Sequence, residues 1–433
     1  MIDAKIKKKH HPFRSRLVKN SLYTGLALAF VGIVPFIFNS IIARTFGEEI
    51  LGSINIVLSF SLIITTFITN FLGTSANKFL AEYRGRKSLN HFIFTFQIMI
   101  YGSLVILSIV SLTLITKWDF LFPKFSISPE SLYPIIAFIF LRSFYILFRR
   151  AFYGMDMIQP YAINEIICDV FMIIGISYIC YIKQSVFLIH SYLISYLIFF
   201  ILSIFTLINK FDQITSTLDN IVNFSKTDVL KKFFKYGFIS MIGTVASTGT
   251  GYLSIIFTGI FLSNADVGLY SSVITIVSVL TFIPKLFSNV FLPEFSKLFG
   301  EGNKQKIIEI IKQSFWIMLL TSIIICTVLF LFAGNILSIF GESFIKASLI
   351  LKIIIPSVFI RMISIPFVSF LSGTKYIIHP NVGGILILFI SLSVWLLLVP
   401  DLKLIGIAIG YTSGIFFGIS YQILIAILKI RIF

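Results

Sequence analysis

The chain has 433 residues, of which 57% are hydrophobic and only 12% charged, and its mean hydropathy is +0.99. That balance excludes a water-soluble enzyme or carrier and indicates a polytopic helical membrane protein. The formal charge of +17 does not indicate nucleic acid, because the basic residues lie between apolar runs rather than on a folded surface with aromatic platforms.

A run of ~20 apolar residues crosses ~30 Å of hydrocarbon at 1.5 Å per residue. In chain order such runs predict spans over 19–43, 50–76, 91–116, 131–149, 160–182 and 185–208. A second set follows over 233–262, 265–292, 307–334, 347–371, 381–400 and 403–427. The first run comes after a basic tail, residues 1–18, but it is too long for the apolar core of a signal peptide and no small-residue cleavage site follows. It therefore reads as an uncleaved span. Outside the spans, nearly all lysines and arginines fall on the side of the N-terminus; Arg44, Lys117, Lys124, Lys183, Lys346, Lys352 and Lys403 fall opposite. Cytoplasmic loops are the ones enriched in these residues, so both termini are expected in the cytoplasm, with the protein spanning the cytoplasmic membrane many times.

Between the sixth and seventh spans, residues 209–232 place Phe211, Ile214, Leu218, Ile221 and Val222 at helical spacing among polar residues. This predicts an amphipathic linker lying on the cytoplasmic leaflet. Sliding the chain by about half its length brings Lys19 over Lys235, Gly52 over Gly268 and Phe79 over Phe295. The expected fold is all-α, with about twelve spans in two six-helix bundles, 19–208 and 233–433. An even number of spans per half makes the halves parallel repeats about an axis along the membrane normal, with the substrate site between them.

Ionisable side chains inside spans are rare and mark functional sites, because an unpaired charge there costs at least ~2.5 kcal/mol. The spans hold Arg142, Glu165, Asp169, Lys285 and Arg361. Helical rise puts Arg142 ~10 Å, Asp169 ~13 Å and Glu165 ~8 Å from the cytoplasmic ends of two neighbouring spans. The reading is that Arg142 sits between the two carboxylates, which share a face at i, i+4. Glu165 and Asp169 are candidates for gating, or for coupling to protons or sodium. Arg142, Lys285 and Arg361 are candidates to hold an anionic head group, since both residue types bind phosphate through charge-assisted hydrogen bonds. Pro35, Pro284, Pro356 and Pro366 are candidate kinks. Tyr145, Tyr153, Tyr161 and Tyr252 are candidates to stack on sugar rings. Arg44 with Glu48 and Glu49 reads as an anchor at the outer mouth, and His190 as a packed or interfacial residue. Cys168, Cys180 and Cys326 sit in apolar runs without metal-type spacing and read as small hydrophobes; no metal site or cofactor is expected.

Three stretches carry a family resemblance: I-I-A-R-T-F-G-E-E-I-L-G after the first span, K-F-L-A-E-Y-R-G-R-K after the second, and R-R-A-F-Y-G-M-D-M-I-Q-P after the fourth. They resemble polysaccharide flippases of the Wzx type, in the superfamily that also holds multidrug and toxic-compound extruders, with Arg44, Gly47, Gly52 and Gly154 matching by type and position. The resemblance implies two bundles around a V-shaped cavity that opens alternately to each side. The implied cargo is a polyprenyl-pyrophosphate-linked oligosaccharide, and the implied partners are membrane lipids and a polysaccharide polymerase or glycosyltransferase machinery. The alternatives are a multidrug or cation antiporter of the same superfamily, whose cavity should be acidic, and a membrane-embedded glycan-processing enzyme. The latter lacks a sizeable loop with a nucleophile and base, since the longest outer loop offers only Asp119 and Glu130.

Overall fold

Backbone groups in hydrocarbon find no water to bond, so each apolar run closes its hydrogen bonds internally as a helix. The computed structural model describes residues 12–121, 129–218, 225–280, 287, 291 and 294–432, and all regular structure among them is helical. In chain order the first half comprises α1 (Pro12–Ile68), a π-helical turn (Thr69–Gly73), α2 (Thr74–Gly85), α3 (Leu89–Leu121), α4 (Leu132–Gly154), α5 (Ile158–Tyr181) and α6 (Leu188–Thr215). The second comprises α7 (Lys226–Phe261), α8 (Asn264–Leu280), α9 (294–300), α10 (Lys304–Leu331), α11 (Ala333–Leu337), α12 (Ser348–Ile363), α13 (Ile365–Gly373) and α14 (Ile378–Ile432).

Among the described residues nine helical stretches are long and apolar enough to cross a membrane. Two are of double length. α1 has 57 residues and is broken at Gly47 (φ 82°, ψ −174°), a backbone state open to glycine. α14 has 55 residues and is broken at Lys403 (φ 49°, ψ −125°). Each break divides its helix into two crossings, and α8 is a shorter apolar helix beside them. All twelve predicted spans thus have helical counterparts, and the chain is a multi-pass integral membrane protein.

Three expectations change in detail. Residues 209–215 continue α6, and 226–232 form the first turns of α7. No separate linker helix forms at those positions, because nothing breaks α6 before Thr215, and the Phe211 ring lies 6.1 Å from Phe96 of α3. Ile221 and Val222 lie outside the described residues. The span predicted at 347–371 is divided into α12 and α13 at Ser364, just before Pro366. Pro35 and Pro356 lie inside helices, and the non-helical residue within α1 is Gly47, not Pro35.

Helices of the first half pack on one another, α5 on α6 and α1, and α4 on α6 and α2; in the second, α12 packs on α10 and α14, and α14 on α7. The two sets meet where α1 crosses α8 and where the π-helical turn and α2 meet α7. The first crossing is reciprocal. A Cβ on Gly52 would come within 1.8 Å of the Asn264 carbonyl oxygen, and one on Gly268 within 1.9 Å of the Glu48 carbonyl oxygen. Gly52 pairs with Gly268 in the sequence repeat, and Glu48 with Asn264 at the same offset, so the backbones touch at symmetry-related points of the two halves.

A buried polar chain extends this seam: Asn55 Nδ2 donates to Asn39 Oδ1 (3.1 Å), and Asn39 Nδ2 donates to Thr275 Oγ1 of α8 (2.8 Å). Arg44 Nε donates to the Ile339 carbonyl (2.6 Å), which gives the expected anchor a partner in the opposite half. Near the opposite ends of the helices, Ser75 Oγ donates to the Phe233 carbonyl (2.8 Å), and the Lys78 ammonium lies 3.9 Å from the centre of the Tyr236 ring.

Candidate functional site

Three helices of the first half each contribute one stripe to a polar cluster in the membrane interior. On α4, Arg142, Tyr145 and Arg149 share a face at spacings of three and four; on α5, Tyr161, Glu165 and Asp169 do so at four and four; on α6, Tyr192 and Tyr196 at four. α4 ends at Gly154, further along than the predicted Arg149. Arg142 is therefore roughly 18 Å from that end and Arg149 roughly 8 Å, while Asp169 and Glu165 stand roughly 16 and 10 Å from the start of α5. The cluster thus has two levels, Arg142 with Asp169 near mid-membrane and Arg149 with Glu165 nearer the basic ends.

Arg142 does not sit in an ion pair between the two acids. Its Nη1 donates to the Tyr196 hydroxyl (2.8 Å), and its guanidinium lies over the rings of Tyr145 (4.6 Å) and Tyr196 (5.0 Å). Among the described residues no salt bridge joins it to a carboxylate, and its buried Nε has no partner. Tyrosine is the physical reason for the difference. The Tyr145 hydroxyl donates to Glu165 Oε1, so the ring stands between that acid and the arginine and presents its face to the cation. Glu165 is 0% exposed and Asp169 4%, and Glu165 Oε2 and Asp169 Oδ2 lack hydrogen-bond partners.

Arg149 lies over the Tyr161 ring at 5.5 Å, and the Arg150 stem packs against Gly73 in the π-helical turn. Arg142 and Arg149 therefore lie on one face of α4, with Arg150 turned toward the π-helical turn.

The structure brings Arg142, Glu165 and Asp169 into one cluster and leaves Arg361 out of it. Arg361 lies in the last turn of α12, half-buried, with Nε unpartnered, and no described hydrogen bond or ion pair joins it to the other three. Lys285 and Pro284 lie outside the described residues. Tyr145 and Tyr161 are closed off from a sugar, being 2% and 0% exposed and packed on neighbouring rings; Tyr153 and Tyr252 are half-buried. Arg149, Tyr192 and Tyr196 were not singled out from the sequence. Arg149 was read as the end of a span, although its position seven residues after Arg142 puts it on the same face.

A multi-pass helical protein whose two halves meet at a repeat-related seam has the architecture of a membrane transporter. Solved structures with this fold are transporters too. An inward-facing multidrug resistance MATE family transporter of the MOP superfamily aligns with TM-score 0.75 and 15% identity, over 92% of this chain and 94% of that one. A eukaryotic MATE transporter aligns at 0.68 and 17%, over 97% and 96%. A MOP superfamily transporter from Pyrococcus furiosus aligns at 0.65 and 14%, over 96% of each. A family model described as polysaccharide biosynthesis protein matches residues 17–299, and the MatE model matches 240–397. The chain belongs to the polysaccharide biosynthesis protein family. No curated protein sequence matches it.

Proposed function

We propose that the protein is a flippase that moves a polyprenyl-pyrophosphate-linked oligosaccharide across the cytoplasmic membrane by alternating access, for the synthesis of a cell-surface polysaccharide. The observation that carries this reading is Arg142: a cation well inside its span without an acidic ion-pair partner, oriented by Tyr145 and Tyr196. An uncompensated arginine at that depth costs about 2.5–3.5 kcal/mol, a cost that an anionic head group would offset. Arg149 continues the same face of α4 toward the side expected to be cytoplasmic, where such a head group would enter. Arg361 and Lys285 are kept as candidate contacts from the second half, and the saccharide would travel between halves 19–208 and 233–433 while the polyprenyl chain stays in lipid.

A multidrug or cation antiporter is the second reading. It is less favoured because Glu165 and Asp169, the acids that would meet a cation, are 0% and 4% exposed, and Glu165 is engaged by the Tyr145 hydroxyl. Partners from polysaccharide polymerase or glycosyltransferase machinery fit the flippase reading.

Charge reversal tests it. In cells that depend on the protein for glycan export, Arg142→Glu should insert normally and abolish export, and Arg361→Glu should reduce it at least tenfold. Normal export in both variants refutes the assignment of the cations.

A further inference from the structure

Between the halves, the contact of the first half with α7 changes with depth. At the π-helical turn it is tight: a Cβ on Gly237 would come within 2.2 Å of the Phe71 carbonyl oxygen, and the Phe71 ring stacks on Phe234 at 5.6 Å. Further into the span it loosens. A Cβ on Gly249 would first meet Ile63 Cδ1, at an ordinary 3.7 Å, and one on Gly251 would meet nothing within 4 Å.

A groove of about 420 Å³ runs along this seam, built from Ile63, Phe67 and Ile68 of α1, Phe71 of the π-helical turn, and Ile106 and Val110 of α3. Its accessible wall is wholly apolar, and Phe67 is 51% exposed, so it opens outward to lipid. Ile63 and Phe71 are the same residues that touch α7, and α3 reaches α7 as well. The groove is therefore continuous with the interface between the halves. Its apolar character follows from how the helix sorts its side chains. Thr69 Oγ1 donates to the Thr65 carbonyl (2.7 Å) and Asn70 Nδ2 to the Thr66 carbonyl (2.8 Å), so the polar groups here are buried and closed within the helix, leaving isoleucine and phenylalanine to line the groove. A second groove, of about 330 Å³, lies between α10 and α12 and is lined by Ile323, Cys326, Thr327 and Phe359 among others; it belongs wholly to the second half.

The volume of the first groove is within the ~300–1,000 Å³ of small-molecule sites. Apolar fit alone selects no occupant in a bilayer, because lipid tails are as apolar as the wall and a free acyl chain exchanges with its neighbours at no gain. A chain whose head group is held between the halves is different. It cannot diffuse away, and it must leave the interface along a lipid-facing flank. The loose contact of Ile63 with Gly249 is where a chain crosses that flank without parting two backbones.

We propose that the prenyl tail of the cargo lipid lies in this groove, against Ile63, Phe67 and Phe71, while its head group is between the halves. The inference rests on the flippase reading above and gives a place to the part of the cargo that the arginines do not touch. No covalent bond is made or broken.

Phe67 and Ile323 allow a matched test: they are 51% and 47% exposed, line the two grooves, and stand roughly 28 Å along their helices from the side expected to be cytoplasmic. Photoreactive benzoylphenylalanine is placed at one or the other position in the full-length protein, in proteoliposomes of phosphatidylethanolamine and phosphatidylglycerol, with a fluorescent polyprenyl-pyrophosphate-linked saccharide as probe. Illumination should label position 67 with the probe at least tenfold more than position 323, whereas fluorescent phosphatidylglycerol should label the two alike. Equal labelling of both by the probe, or preferential labelling of position 67 by phosphatidylglycerol, overturns the inference, because the groove then holds ordinary membrane lipid. Val110→Trp, which fills the groove from α3, should slow translocation of the probe at least tenfold and leave binding of the tailless pyrophosphoryl saccharide within twofold. Unchanged translocation overturns the tail site and leaves the flippase reading standing; absence of translocation by wild type overturns the flippase reading and the inference with it. Labelling at exposed Phe67 decides the matter even where Val110→Trp fails to insert.

Discussion

At the scale of single residues, the guanidinium plane of Arg142 matters as much as its charge. It stacks over two rings and donates to a hydroxyl in one pose, which a lysine ammonium cannot reproduce. Arg142→Lys should therefore lower the rate of cargo translocation at least tenfold despite keeping the charge, measured as an initial rate in proteoliposomes. Tyr196→Phe removes the acceptor of a charge-assisted bond worth about 1.5–3 kcal/mol, so it should lower the rate by about tenfold to a hundredfold without loss of insertion. Glu165→Leu should destabilise the protein by about 1–3 kcal/mol in a thermal unfolding assay, because it leaves the buried Tyr145 hydroxyl without an acceptor. The sequence placed Arg142, Glu165 and Asp169 on neighbouring helices at similar depth; the structure keeps Arg142 and Asp169 at one level and puts Glu165 nearer the helix ends, beside Arg149. It did not reveal the tyrosines between them: a charge inside a span stands out against hydrocarbon, whereas a tyrosine among 49 phenylalanines does not.

At the scale of elements, the α1–α8 crossing is the contact that the proposed alternating access would have to open. Backbone meets backbone there, and no side chain is available to yield. Adding a methyl group at Gly52 or Gly268 should cost the sealed state about 1–3 kcal/mol, as overpacking does elsewhere. Since 1.4 kcal/mol is about tenfold in population, Gly52→Ala should shift the protein measurably toward the form open at that seam. Spin-label distances across α1 and α8 would lengthen; an unchanged distribution would mean that the crossing does not separate. Asn39 and Thr275 provide the complementary experiment. Cysteines at these two positions, in a background with Cys168, Cys180 and Cys326 replaced, should form a disulfide that stops transport and releases it on reduction. The sequence marked both glycines through the repeat, but their contact depends on a pseudo-twofold arrangement that no local pattern encodes. At 209–215 the helical spacing of Phe211 and Ile214 that suggested a linker equally suits the last turns of a span packed on α3, which α6 continues there.

At the scale of the whole molecule, composition and the length of apolar runs were enough to read twelve spans, because a bilayer admits few alternatives to the helix. The low-identity repeat carried the relation between the halves, and the reciprocal approach of Gly52 and Gly268 gives it a physical form. Cargo is less legible. The fold is shared with MATE and other MOP superfamily transporters at 14–17% identity, and what separates the two readings is the sign of the charge presented between the halves. The most direct measurement is therefore translocation in proteoliposomes offered both a fluorescent polyprenyl-pyrophosphate-linked saccharide and a fluorescent cationic drug. The account predicts protein-dependent movement of the saccharide lipid, abolished by Arg142→Glu, with no movement of the drug; drug movement that persists in Arg142→Glu while the saccharide lipid stays in its leaflet would contradict it.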